Sequence, residues 1–164
     1  MSYKITTDPA LSPSNAQSMI SFMESFYQTS DTEALHTKYV ASFTDNATLI
    51  MGSKVANGSD GTLPYTPTHP ILYCKQTANE KEILNLRHAI WTHVASRRHF
   101  PERIYFGAAN ELMLYGTVRY VLKADASREI EVPWAGRVVF DGEGEGLKMK
   151  FYQVYLDPTA QSGK

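Results

Sequence analysis

Cysteine occurs once in the 164 residues, as Cys74, so an intrachain disulfide is excluded and no Cys/His set has zinc-finger spacing. A chain with one thiol suits a reducing compartment. Long apolar runs are also missing: nowhere do about eighteen such residues stand together, the length a membrane helix needs. The first residues, Met1 to Ser12, are polar, without the apolar stretch of a signal peptide. The expectation is a soluble, cytoplasmic protein with no membrane partner, in which the sequons Asn46-Ala47-Thr48 and Asn57-Gly58-Ser59 are chance matches. An excess of one charge is lacking too, since 16 Lys+Arg face 17 Asp+Glu for a net charge of -1. No basic field exists to attract nucleic acid.

Metal and nucleotide motifs are equally scarce. His88 and His93 stand five residues apart on a predicted helix, about 140° around its axis, and cannot ligate one ion together. The run Asp141-Gly142-Glu143-Gly144-Glu145-Gly146 resembles a phosphate loop in composition alone, because no helix follows and its glutamates repel phosphate. We therefore expect no metal and no cofactor.

What is present is an ordinary globular composition, 43% hydrophobic and 20% charged. The length predicts a single domain, 1–164, that buries about 70% of its unfolded surface, with flexible tails at 1–12 and 159–164. Ser12-Pro13 starts a first helix whose apolar stripe is Met19, Ile20, Met23, Phe26 and Tyr27. Ser30-Asp31-Thr32-Glu33 has the pattern of a capping box opening a short second helix through Leu35, Tyr39, Val40 and Phe43. Ala47 to Met51 is a brief strand. Residues 55–78, with Gly58, Gly61, Pro64, Pro67 and Pro70, read as an inserted loop of the length lids take. Asn79 and Glu82 cap a third helix, expected to run to about Ser96 with Ile83, Leu86, Ile90, Trp91 and Val94 on or beside its apolar face.

The period then changes to two. Candidate strands are 103–106, 111–123, 128–140 and 147–157, joined by short polar turns. Leu112, Leu114, Val118, Tyr120 and Leu122 share one face of the second of these; Ile130, Val132, Trp134, Val138 and Phe140 share one face of the third. The same alternation puts Met149, Phe151, Gln153 and Tyr155 inward on the last. Helices first, then a long antiparallel sheet with one apolar face, make an α+β arrangement in which three N-terminal helices cover that face.

That order of elements resembles the NTF2-like superfamily, including its SnoaL-like and scytalone-dehydratase-like members of fungal type. Three stretches carry the resemblance: Phe43-Thr44-Asp45-Asn46-Ala47-Thr48-Leu49, Val132-Pro133-Trp134-Ala135-Gly136-Arg137 with Phe140-Asp141-Gly142, and Phe151 to Pro158. It implies a cone-shaped, cystatin-like fold around a small-molecule pocket, on which isomerases, cyclases, dehydratases and non-catalytic proteins are all built. Members resembling ketosteroid isomerase use a carboxylate where this chain has Met51. Members resembling limonene epoxide hydrolase need an aspartate where it has Gln153 or Val154. Arg97-Arg98-His99-Phe100 resembles the place of a pocket histidine, so His99 is the residue carried over.

His99 is accordingly the candidate proton-transfer residue, since imidazole titrates near neutral pH. Tyr120 and Gln153 are candidate catalytic hydrogen-bonding groups, because buried polar atoms need partners that a ligand can supply. Tyr39, Met51, His88, Trp91, Trp134, Phe151 and Tyr155 are candidate substrate-binding residues, and core packing is the other role open to each aromatic among them. Arg137 falls on the outer face by alternation, where a salt bridge suits it, and a bulge would turn it inward. The expected function is a cofactor-independent isomerase, cyclase or dehydratase acting on a hydrophobic polycyclic or aromatic intermediate of secondary metabolite biosynthesis. The alternative is a non-catalytic binding or dimerisation module. Thr117, Arg119, Ala135, Arg137, Val139 and Tyr152 predict an outer face suited to a homodimer.

Overall fold

The computed structural model describes residues 5, 13–58, 82–107 and 109–157. Its elements are α1 (Ala16–Ser30), α2 (His36–Ala41), β1 (Phe43–Met51), β2 (Lys54–Asn57), α3 (Glu82–Trp91), β3 (Val94–Phe106), β4 (Glu111–Leu122), β5 (Asp125–Asp141) and β6 (Lys148–Leu156). The strands form one curved six-stranded sheet in the order β2-β1-β6-β5-β4-β3. Strands β3 to β6 are an antiparallel meander, while β1 pairs with β6 in parallel, so the sheet is mixed rather than wholly antiparallel. A parallel neighbour is available to β1 because β2, α3 and the strands β3 to β5 lie between it and β6 in the chain, more than the dozen residues a crossover needs.

The α1 stripe is the one its spacing predicts: Met19, Ile20, Met23, Phe26 and Tyr27 are all buried. They pack in one core with Leu112, Leu114, Val118, Val132, Val138 and Phe140 from the inner faces of β4 and β5. Burying each large apolar side chain contributes about 1.5–3 kcal/mol, so this helix-on-sheet core is a large part of what holds the fold together.

Four boundaries depart from the sequence expectation. The Ser30-Asp31-Thr32-Glu33 run does not open α2: Ser30 closes α1, and α2 begins at His36 after a turn. Helix α3 stops at Trp91 instead of continuing toward Ser96, and Val94 already pairs with Leu122. β3 thus extends nine residues earlier than 103 and takes His99 into its middle, opposite Val118. Finally, Lys54–Asn57 of the expected loop is strand β2; residues 59–81, with the Asn79 cap and the rest of the lid, lie outside the described residues, as do the tails apart from Ile5.

A fifth departure, a shift of register within β6, matters most for the site. Val139 pairs with Phe151 and Phe140 with Met149, so Lys150 is an extra residue in β6 and forms a bulge. An extra residue reverses the inside–outside phase beyond it. Tyr152 and Val154 consequently point to the core, and Phe151, Gln153 and Tyr155 point to the outer face.

Candidate functional site

Between α1, α2, α3 and the inner face of the sheet lies a cavity of about 170 Å³. Its apolar wall includes Phe26, Met51, Leu86, Ile90, Val118 and Val154, and its polar minority includes Ser30, Arg97, His99 and Tyr120. Such a mixture is the usual make-up of a small-molecule pocket. Of the residues proposed from sequence, His99, Tyr120, Tyr39, Met51 and Trp134 meet on this cavity.

The others do not. Gln153, Phe151 and Tyr155 are turned away by the Lys150 bulge. His88 is exposed on α3, its ring 4.2 Å from that of His36. Trp91 is buried but does not line the cavity; it packs on the guanidinium groups of Arg87 and Arg97. Arg137 stays outside, donating to Glu111 at 2.7 Å over the ring of Phe151.

The residue sequence reasoning missed is Asp31. It sits one position past the end of α1, where the helix delivers it to the middle of β3. The His99 backbone N–H donates to Asp31 Oδ2 at 2.8 Å, and His99 Nδ1 lies 2.5 Å from Asp31 Oδ1. An ionised carboxylate only accepts, so Nδ1 carries the proton and the lone pair of the neutral ring is on Nε2, at the opposite edge. Burial lowers the His99 pKa below the ordinary imidazole value; Asp31 opposes that shift and Arg97 adds to it. Tyr27 and Trp134 hold the ring by contact, their centroids 4.9 and 5.7 Å from that of His99. The signal that could have revealed Asp31 is an acidic residue directly after an amphipathic helix, one turn beyond Tyr27, in a segment read as a cap.

Two arginines surround this pair. Arg87 donates to the carbonyls of Thr29, Ser30 and Thr32 at 3.1, 3.2 and 2.7 Å. Arg97 donates to the Ser30 carbonyl and to its hydroxyl, and its Nε is 3.5 Å from Asp31. Together they satisfy the orphan carbonyls at the C-terminus of α1, where a positive charge is favoured by the helix dipole. Arg87 also lies over the Tyr39 ring at 4.3 Å. Among the described residues no cluster of three or more metal-binding side chains occurs, and no helix is long and apolar enough to cross a membrane.

No protein-family model and no curated protein sequence matches the chain. Solved structures do. An NTF2-like protein of unknown function from Burkholderia pseudomallei K96243 is 12% identical, with a TM-score of 0.61 over 90% of this chain and 93% of that one. A protein described as a SnoaL-like polyketide cyclase from Shewanella denitrificans OS-217 is 8% identical, with a TM-score of 0.59 over 92% and 96%. The hexachlorocyclohexane dehydrochlorinase LinA type 2 is 12% identical, with a TM-score of 0.57 over 87% and 88%. At these identities the likeness is one of fold alone: three helices on a curved, open sheet make the α+β architecture of the NTF2-like fold.

Proposed function

We propose that the chain is a cofactor-independent acid–base enzyme in which His99, oriented by Asp31, moves a proton on a hydrophobic ring compound. The single observation that carries this reading is the Asp31–His99 pair at the wall of an apolar cavity. A carboxylate on Nδ1 fixes the tautomer and steadies the imidazolium that forms when Nε2 takes a proton, an arrangement that recurs in unrelated hydrolases. The depressed pKa keeps Nε2 unprotonated near neutral pH, as a general base requires.

The step is a proton transfer. Nε2 takes a proton from carbon next to a carbonyl, the electron pair moves onto the carbonyl oxygen, and Tyr120 hydrogen-bonds that oxygen as charge grows. Return of the proton to a different carbon gives isomerisation. Attack of the enolate carbon on a second carbonyl of the substrate, whose oxygen then takes the proton, gives cyclisation. Collapse of the enolate to a double bond as a neighbouring hydroxyl leaves with the proton as water gives dehydration. Tyr39, Met51 and Trp134 shape the apolar seat. Two proteins of this fold are named for related chemistry, the polyketide cyclase and the dehydrochlorinase. A cavity near 170 Å³ is of the size that admits one aromatic ring, since an engineered void of about 150 Å³ takes benzene. A polycyclic substrate would extend out through the mouth.

Exchange of carbon-bound hydrogen tests this without knowledge of the natural substrate. Small ring ketones incubated with the protein in D2O should lose the proton next to the carbonyl in NMR spectra. His99→Ala and Asp31→Asn should each slow that exchange by about a hundredfold or more, and Tyr120→Phe by about tenfold. Exchange that persists at the wild-type rate in folded His99→Ala leaves the non-catalytic binding reading in its place.

A further inference from the structure

We infer that the cavity is built for an acid: a small apolar ring bearing a carboxylate, which is seated on Arg97 within reach of His99. This rests on the acid–base reading above and adds the substrate class to it. Arg97 and His99 are two positions apart on β3 and both line the cavity. Their backbones are about 7 Å apart along the strand, and both side chains also meet Asp31 Oδ1, Arg97 Nε at 3.5 Å and His99 Nδ1 at 2.5 Å.

The local charge balance points the same way. Arg87 and Arg97 are both buried, and among the described residues Asp31 is the one buried carboxylate packed with them. The C-terminal end of α1 supplies the equivalent of about half a negative charge, which leaves a positive surplus in a medium where unpaired charge is costly. Among the described residues that line the cavity there is no Asp or Glu, and the further cation there, Lys54 at the start of β2, is exposed. Glu33 is near Arg87 but half exposed and 3.8 Å from Lys123.

Hydrogen bonding gives a separate indication. Two cavity-lining residues have buried side-chain polar atoms with no hydrogen-bond partner among the described residues: Arg97 through Nε, whose nearest charge is Asp31 at 3.5 Å, and Trp134 through Nε1. Both atoms are N–H donors. Behind them Arg87 Nε and Trp91 Nε1 are in the same condition. Apart from His99 Nε2, the base, these unpartnered atoms are donors, which suits a ligand rich in acceptor oxygens, and a carboxylate has four lone-pair sites and no proton to place. A neutral ketone or alcohol would leave the surplus charge uncompensated.

The test is a comparison of benzoate with benzamide, two probes of one shape that differ in charge. Each is titrated into the full chain, with binding followed by tryptophan fluorescence and by the indole N–H resonance of Trp134. Benzoate should bind at least about tenfold more tightly than benzamide, the size expected of a charge-assisted hydrogen bond in a shielded site. The preference should fall below about threefold in Arg97→Gln and survive in Arg97→Lys. Equal binding of the two probes, failure of benzoate to saturate at tens of millimolar, or a preference unchanged in folded Arg97→Gln would overturn the inference. Arg97 also supports the end of α1, so if Arg97→Gln fails to fold, the wild-type comparison and the Trp134 shift decide alone. Neither readout needs turnover: an anion preference without hydrogen exchange removes the catalytic reading, and exchange on neutral ketones without an anion preference removes this one.

Discussion

At the scale of residues, the chemistry turns on how Asp31 and burial pull His99 in opposite directions. Burial disfavours the imidazolium, while the carboxylate 2.5 Å from Nδ1 favours it, and burial dominates. The ring should therefore titrate below about 6.5, the value of free histidine, and its Cε1 proton should report that directly in an NMR titration. Asp31→Asn removes the attraction and should lower the value further; a rise would show that Asp31 does not favour the imidazolium. The sign for stability follows. A folded pKa below the unfolded one means that the unfolded chain binds the proton first. His99 thus contributes its share fully above about pH 6.5, and that share is lost as pH falls through the lower, folded value. Nothing in the sequence distinguishes this histidine from His88 or His93 except the resemblance that selected it, because its partner is 68 positions away.

Elements were legible where their period was uninterrupted. Leu112, Leu114, Val118 and Tyr120 of β4, and Val132, Trp134, Val138 and Phe140 of β5, are buried as alternation requires. β6 was misread from Lys150 onward, since a bulge is a matter of pairing with β5 and β1 and leaves no mark in Lys-Met-Lys-Phe-Tyr-Gln. β3 was missed before residue 103 for a similar reason: register shifts fall between Val94 and Ser96 and between Pro101 and Arg103, and its inward residue Arg97 is charged. The second shift has a testable cause. Gly116 pairs with Pro101, and a Cβ there would stand 2.1 Å from the Phe100 carbonyl oxygen and 2.8 Å from Pro101 Cα. Only glycine lets β3 and β4 approach so closely. Gly116→Ala should cost about 1–3 kcal/mol in urea unfolding, whereas Gly146→Ala, whose Cβ would meet nothing within 4 Å, should stay within about 0.5 kcal/mol. Equal stability of the two variants would refute the close-approach account of the bend.

For the whole molecule, the bulge that closes the cavity to Gln153 also remakes the opposite face of the sheet. Tyr152, expected outside, is buried with its hydroxyl 3.1 Å from that of Tyr27, and Phe151 and Tyr155 take its place outside. The outer face then presents Tyr105, Met113, Tyr115 and Tyr155, all more than a third exposed, with the rings of Tyr105 and Tyr115 stacked at 6.2 Å. Around them are paired charges of both signs, Arg119 with Glu131 at 2.6 Å and Arg137 with Glu111 at 2.7 Å. An aromatic centre with a mixed-charge rim is the composition of protein interfaces. A two-fold dimer needs one patch able to meet its own copy, and interleaved cations and anions allow that without like-charge clash. We therefore propose that the occupant of this face is a second copy of the chain. Light scattering should give twice 18.4 kDa for the wild type, and Tyr115→Glu with Tyr105→Glu should give the monomer mass while the far-ultraviolet circular dichroism stays unchanged. Because the cavity lies on the other side of the sheet, the monomeric variant should keep its preference for benzoate. A wild-type monomer at high protein concentration would rule the dimer out and leave this aromatic face to a different partner.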